Sequence, residues 1–462
     1  MGYTIRQMDH ERNFCRELTV EALQRAVPPE AIHAVLRETG SPVRRARKLT
    51  AEATIWVLIA LNVYTHLAVG HVLRKVSQGL RFIWPDPTYR VPGASAFVYR
   101  RYQLGAAPVV ALYERLARPI ATAQTPGAFR FGLRLRALDG TVEAVPDSPA
   151  NAAAFGRQHG SRGDSAFPQV QGVYLVECGT HAIVDASFWP YGTSERVGAA
   201  LLLRAITAEM LVLWDRGLHE YDLLAAVRQR EAHVLGRLPA RVTPQRGASL
   251  PDGSTLAYLR PSDPKRRARG ERLLVRVIAY TLTDPTLPGY GEVHRLVTTL
   301  LDPRVAPALE LVCLYHERWE SELVIDETDT HQRLAGRPLR SQKPEGVLQE
   351  LYALLLAHFA IRVLMHEAAL QAGLDPDQLS FVHAVRVLHD AIPEFQMVAP
   401  ADRPRLYARL LQDIAAGRLP ARRLRSNPRV VKRKMSNFRL KRPEHRHWPQ
   451  PTMPFRAAVL LI

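Results

Sequence analysis

The sequence predicts an α/β fold with a helical N-terminal region and a β-rich insertion inside its core. Three observations carry this. Apolar residues recur with helical spacing through the first 125 or so positions. From Phe131 the period changes to alternation, as in Leu133-Arg-Leu-Arg-Ala-Leu138. Further on, Met210-Leu-Val-Leu-Trp214 is apolar at every position, the pattern of a strand buried on both faces.

The elements follow in order. Leu49-Thr50-Ala-Glu-Ala opens a helix with Thr50 as N-cap, and a second helix is expected from about Gly105 to Ala121. Arg44, Arg45, Arg47 and Lys48 form a basic cluster ahead of the first, either a solvated surface or a DNA backbone contact. Three strands come next, around Leu133–Leu138, Pro168–Glu177 and His181–Trp189. A helix from about Ser194 to Ala208 leads into the strand Met210–Trp214, and helix Leu223–Arg230 and strand Ala232–Leu238 continue the alternation. Three consecutive strands, a helix and a strand ending in an acid match the opening of a ribonuclease-H-like core. Residues 240–310 then carry turn and strand signals: Asp252-Gly253, Leu273–Leu282 and the run from His294. Beyond them the chain is helical again, with Val347–Ala369 apolar enough to pack on the sheet. The expected domains are a helical DNA-binding region at 1–125, the two parts of the core at 126–239 and 311–400, an inserted β subdomain at 240–310, and a basic tail at 401–462.

Lys and Arg number 62 against 44 Asp and Glu, a net charge of +18. Such an excess suits a partner rich in phosphate, where each contact releases counterions. Cys15, Cys178 and Cys313 are isolated, which excludes a disulfide framework and a Cys-x-x-Cys zinc site and fits a reducing compartment. The opening Met-Gly-Tyr-Thr-Ile-Arg-Gln lacks a signal-peptide core, and the apolar run Ala53–Gly70 is broken by Asn62 and His66. A soluble protein of the bacterial cytoplasm, associated with the nucleoid and with no membrane partner, is expected.

The segment Tyr315-His-Glu-Arg318-Trp319-Glu-Ser-Glu322 places a phenol, a guanidinium and a carboxylate at i, i+3 and i+7, one face of a helix. Asp139 and Asp215 each close a strand-like run. Two strand-end aspartates and one helical glutamate can converge on a two-metal phosphoryl-transfer site. Taken singly, Asp139-Gly140 is also a favoured turn pair, Asp215 a possible cap, and Glu322 one of several acids on its helix beside Glu317, Glu320, Asp326 and Glu327. Asp185 is a rival second acid, but it sits in mid-strand.

These residues resemble the DDE transposases of bacterial insertion sequences, the cut-and-paste group with a Tyr-x2-Arg-x3-Glu-x6-Lys signature. The resemblance takes in Tyr315, Arg318 and Glu322, Leu138-Asp139-Gly140-Thr141, Trp214-Asp215-Arg216-Gly217 and the β insertion. It implies that Asp139, Asp215 and Glu322 bind two Mg²⁺ ions, with Mn²⁺ as a substitute, and that Tyr315 and Arg318 grip phosphates near the cleaved end. The signature lysine falls on Asp329: either a nearby cation such as Arg333 or Lys343 replaces it, or this branch handles the DNA end differently, or the copy is inactive. Tyr258, Tyr280 and Tyr290 lie in the insertion, which has no tryptophan to stack on a flipped base.

Further DNA contacts are expected from Arg157 and Arg162 in a Gly-rich loop that also holds His159, from Lys265, Arg266, Arg267 and Arg269 in the insertion, and from Lys432, Arg433 and Lys434 in the tail. The reading is a DNA transposase that binds the terminal inverted repeats of its element, cleaves there and joins the 3′-hydroxyl to target DNA as a homodimer. A stand-alone nuclease of this fold and a catalytically inactive DNA-binding derivative are the alternatives.

Overall fold

The computed structural model describes residues 21–41, 49–76, 91–160, 163–287, 289–318, 320–333, 336–420, 430–431 and 439–462. The chain forms two units. Met1–Phe129, Asp139–Leu202 and Glu320–Leu419 make the first; Arg130–Leu138, Leu203–Trp319 and Pro420–Ile462 make the second.

In the first unit, helices α1 (Ala51–Val63), α2 (Ala94–Leu104) and α3 (Ala107–Leu116) belong to the N-terminal region. Thr50 caps α1 as its sequence demands, its hydroxyl accepting from the Ala53 amide at 3.0 Å, an interaction of about 1 kcal/mol. α1 is apolar on all sides and is buried accordingly. Its Asn62 is accommodated because its amide donates back to the Leu58 carbonyl at 3.0 Å.

Strand β1 (Leu133–Ala144) runs from the second unit into the first. Strands β2 (Gln169–Glu177) and β3 (Ile183–Pro190) form an antiparallel hairpin beside it, in the order β3-β2-β1. In the second unit, β1 is followed by β4 (Met210–Trp214) and β5 (His233–Arg237), both parallel. Helix α4 (Glu195–Leu201) precedes β4, and α5 (Tyr221–Gln229) connects β4 to β5. A strand meander followed by parallel strands joined through helices is the ribonuclease-H-like arrangement, and all of β4 is buried.

The insertion consists of β6 (Gln245–Ser249), β7 (Thr255–Leu259), β8 (Leu273–Leu282) and β9 (His294–Thr298). It extends the core sheet: β9 pairs antiparallel with β5, matching Leu296 to Arg237 and Thr298 to Leu235. Strand β10 (Val459–Leu461) pairs with β8, matching Tyr280 to Leu461. The chain end, expected as part of a basic tail, is therefore a sheet strand. Arg403–Ala416, also assigned to that tail, is a helix of the first unit. Alternation of three apolar residues was too short a signal to reveal β10.

Helix α6 (Ala308–Glu317) closes the second unit's core sequence, and α7 (Glu320–Asp326) and α8 (Pro344–Ala372) belong to the first unit. α8 is long and apolar enough to cross a membrane, but 89% of its most apolar window is buried within the protein. It packs against α1, α3 and the helix Arg403–Ala416.

Candidate active site

The register of β1 and β4 pairs Leu138 with Trp214, and each of these residues is followed in sequence by an aspartate. Asp139 does not end its strand, however: β1 continues to Ala144. Gly140 beside it lets the Glu195 carboxylate approach: a Cβ there would stand 2.6 Å from Glu195 Oε1, and that side chain would have to shift. Asp215 follows β4 and accepts from the amides of Gly217 at 2.7 Å and Leu218 at 3.2 Å. It is thus a turn-forming residue as well as a candidate ligand.

Tyr315, Arg318 and Glu322 do not share one helix. α6 ends at Glu317 with Arg318 as its C-cap, and Glu322 lies in the separate helix α7, where it is exposed. Within the second unit, the Arg318 guanidinium carbon lies 5.9 Å from the Tyr315 ring centre, in cation–π range. Burial pushes the Tyr315 phenol up to about 12; Arg318 pulls it down and the Asp215 charge pushes it up further. Asp215 therefore acts electrostatically on the tyrosine of the signature. α6 is anchored at its other end by Asp252, which accepts from the Ala308 amide at 2.9 Å and pairs with the fully buried Arg276. Arg276 also donates to Ser254 Oγ at 2.7 Å and to the Ala306 carbonyl at 2.6 Å.

Beyond α7 the segment Glu327–Gln332 winds as a π-helix. Its wider turn shifts the register, so Asp329 does not repeat the direction of Glu322 two turns later. Instead Asp329 accepts from Thr141 of β1 at 3.2 Å and from Thr328 Oγ1 at 3.1 Å. Arg333 pairs with Glu143, also on β1. Burial first, then Glu143, pushes the Asp329 carboxyl up to about 8. Of the two expected replacement cations, Arg333 is engaged by Glu143, whereas Lys343 is exposed, its ammonium 5.0 Å from the Tyr102 ring centre.

One turn after Glu322 a buried ionic network fixes the same segment. Glu327 accepts from Arg362 Nε at 3.0 Å and from His358 Nε2 at 3.1 Å, and His181 Nδ1 is 3.3 Å away. Asp377 Oδ1 lies 3.2 Å from the other ring nitrogen of His181. Against the cost of burial, Arg362 and then His181 and His358 hold Glu327 ionised well below the usual range. His181 sits at φ +57 in the β2–β3 turn, a conformation uncommon for a non-glycine residue. These partners stand 31 to 146 positions from Glu327, and nothing in local spacing signals them.

The other expected DNA contacts fall as follows. Arg157 is spent on its own loop, pairing with Asp147 and donating to the carbonyls of Ser165 and Ala166. His159 Nδ1 lies 2.6 Å from Asp164. Lys265, Arg267 and Arg269 are exposed, whereas Arg266 is bound by Glu271 and Asp222. Arg162, Trp319, Lys432, Arg433 and Lys434, and the basic cluster at 44–48, lie outside the described residues. Among the described residues no group of three or more His, Cys, Asp or Glu side chains is close enough to hold a metal ion.

Comparison with known proteins accounts for both halves of the chain. Residues 17–114 match the insertion element 4 transposase N-terminal model, and residues 130–360 match the transposase DDE domain. The transposase InsG of insertion sequence element IS4 from Escherichia coli K12 is 31% identical over 429 residues, 92% of each chain. The putative transposase InsZ of the same organism is 28% identical over 221 residues, covering 46% of this chain and 69% of InsZ. A solved piggyBac transposase synaptic complex with hairpin DNA aligns over 85% of this chain and 84% of its own at 11% identity, with a TM-score of 0.47. By the extent and identity of these sequence matches, the chain belongs to the DDE transposases of IS4 type and is a DNA transposase, an enzyme class that depends on divalent metal.

Proposed function

We propose that this transposase binds the terminal inverted repeats of its insertion sequence, cleaves at the element ends and joins the resulting 3′-hydroxyl to target DNA. The observation that supports this reading is the parallel register of Leu138 with Trp214, each of which is followed in sequence by an aspartate. Asp139, Asp215 and Glu322 are the catalytic acids. Their carboxylates are hard oxygen donors of the kind that hold Mg²⁺, or Mn²⁺ in its place. Two such ions supply Lewis acidity to the attacking and leaving oxygens of the displaced phosphodiester.

The chain's own residues do the rest. Arg318 offers a planar fork to a non-bridging phosphate oxygen, and Tyr315, protonated through the working pH range, donates one hydrogen bond. Lys265, Arg267 and Arg269, exposed on the insertion, contact the DNA backbone, and Lys432, Arg433 and Lys434 add further phosphate contacts. Residues 1–125 read the repeat, and two copies of the chain bring the two ends together in the cytoplasm, on the nucleoid. Asp329 in the signature's lysine position does not argue for an inactive copy, because its carboxyl group accepts from Thr141 within the fold.

Strand-cleavage assays on end-bearing DNA test the assignment. Asp139→Asn, Asp215→Asn and Glu322→Gln should each abolish nicking in Mg²⁺ while DNA affinity stays within about threefold. Residual cleavage in any of the three removes that residue from the site.

A further inference from the structure

A cavity of about 420 Å³ lies in the first unit, between helices α1 and α2 and the loop that enters α8. That volume is within the range of small-ligand sites. Its lining is divided by chemistry. Leu61, Val69 and Val98 give it an apolar wall, with Tyr102 beside them, and Arg337 and Arg340 give it a cationic one. Val98 is 41% exposed, so a ligand can reach that wall from solvent.

The charges are not balanced internally. Glu350 is the acid in the lining, and it is already committed to the Arg340 amide at 2.7 Å, to Ser341 and to Arg101 at 3.4 Å. The Arg340 guanidinium donates to the Thr65 carbonyl, which orients it without neutralising it. Among the described residues no carboxylate pairs with the guanidinium of Arg337 or Arg340. Burial and the neighbouring Arg337 together hold Arg340 below its ordinary range, against the pull of Glu350. Two guanidiniums that repel one another at the mouth of a half-apolar cavity are relieved by an anion with an apolar or planar body.

We propose that this cavity binds one nucleotide, its phosphate against Arg337 and Arg340 and its base and sugar against Leu61, Val69, Val98 and Tyr102. Guanidinium–phosphate pairing supplies orientation, and the apolar wall supplies burial of the nucleoside. The nucleotide is either one unit of a DNA strand or a free mononucleotide. None of the three acids lines the cavity; Arg333, paired with Glu143, does.

Calorimetric titration of the full chain carrying Asp139→Asn, in chelator, tests this apart from catalysis. The probes are dAMP, deoxyadenosine, inorganic phosphate and a short single-stranded oligodeoxyadenylate. dAMP should bind at least about tenfold more tightly than deoxyadenosine or phosphate alone. Arg337→Glu, at an exposed position, and Val98→Trp, which fills the apolar wall, should each weaken dAMP about tenfold or more. Should Val98→Trp fail to fold, photolabelling with an azido-dAMP analogue replaces it and should mark residues 94–104. If both variants also weaken the oligonucleotide and dAMP displaces it, the ligand is a strand nucleotide; if only dAMP is affected, it is the free one. Equal binding of dAMP and deoxyadenosine, unchanged dAMP affinity in both variants, or no saturable binding of either nucleotide probe overturns the proposal.

Discussion

Thr141 donates to Asp329 across 3.2 Å, joining the strand that carries Asp139 to the segment that follows Glu322. A second tie, Glu143 to Arg333, runs between the same two elements. Position 329 has therefore changed from an expected phosphate contact to an internal support for the catalytic segment.

That support titrates. The Asp329 carboxyl is raised to about 8 in the fold by burial and by Glu143, from an ordinary value near 3.8. Between these two values the folded chain retains a proton that the unfolded chain has lost. Its contribution to stability is thus full at acid pH and falls as pH rises towards about 8. Asp329→Asn should flatten that decline. Urea midpoints at pH 5, 7 and 9 check it: the wild type should lose more stability over this span than the variant, and parallel profiles would remove Asp329 as the source.

Glu327 and Arg362 form the second support, and both are buried. Glu327→Gln leaves the guanidinium of Arg362 without its counter-charge, a loss of about 3–5 kcal/mol by the usual behaviour of broken buried pairs. The double variant Glu327→Gln with Arg362→Gln should cost less than the two single losses added together. Denaturant unfolding of all four proteins measures the coupling, and strict additivity would show that the two side chains act independently.

Arg318→Lys keeps the charge but loses the planar fork. Strand cleavage should fall about tenfold or more, in keeping with about 1.5–3 kcal/mol for a hydrogen bond to a charged group. Tyr315→Phe should cost less, since a single neutral donor is removed. Single-turnover cleavage at saturating DNA resolves the two, and equal rates for wild type and Arg318→Lys would displace Arg318 from the phosphate.

The exposed cations of the insertion act through the DNA backbone. Replacing Lys265, Arg267 and Arg269 with Gln should lower the slope of log affinity against log salt by about 0.9 for each phosphate no longer neutralised. Fluorescence anisotropy across a salt series reads this directly. An unchanged slope would make the loop a solvated surface only.

Much of this protein was legible before its structure. The apolar run Met210–Trp214 marked the buried parallel strand, the change of period at Phe131 marked the start of the sheet, and Thr50 marked a helix start, because each depends on local spacing. The spacing of Tyr315, Arg318 and Glu322 pointed to one common helix, which does not form: Arg318 caps one helix, and Glu322 stands in the next. The π-turn at Glu327–Gln332, the Thr141–Asp329 bond and the Glu327 network were invisible because they are set by partners far away in sequence. β10 was missed for a related reason, since three residues become a strand only through the edge of β8 that they complete.

In the proposed reaction Asp139, Asp215 and Glu322 act as one ligand set. Counting bound Mn²⁺ by electron paramagnetic resonance, with end DNA present, tests it most directly. The wild-type chain should hold about two ions per active site, the number the two-metal mechanism requires, and Asp139→Asn, Asp215→Asn and Glu322→Gln should each reduce that count. An undiminished count in any of the three would remove that residue from the ligand set.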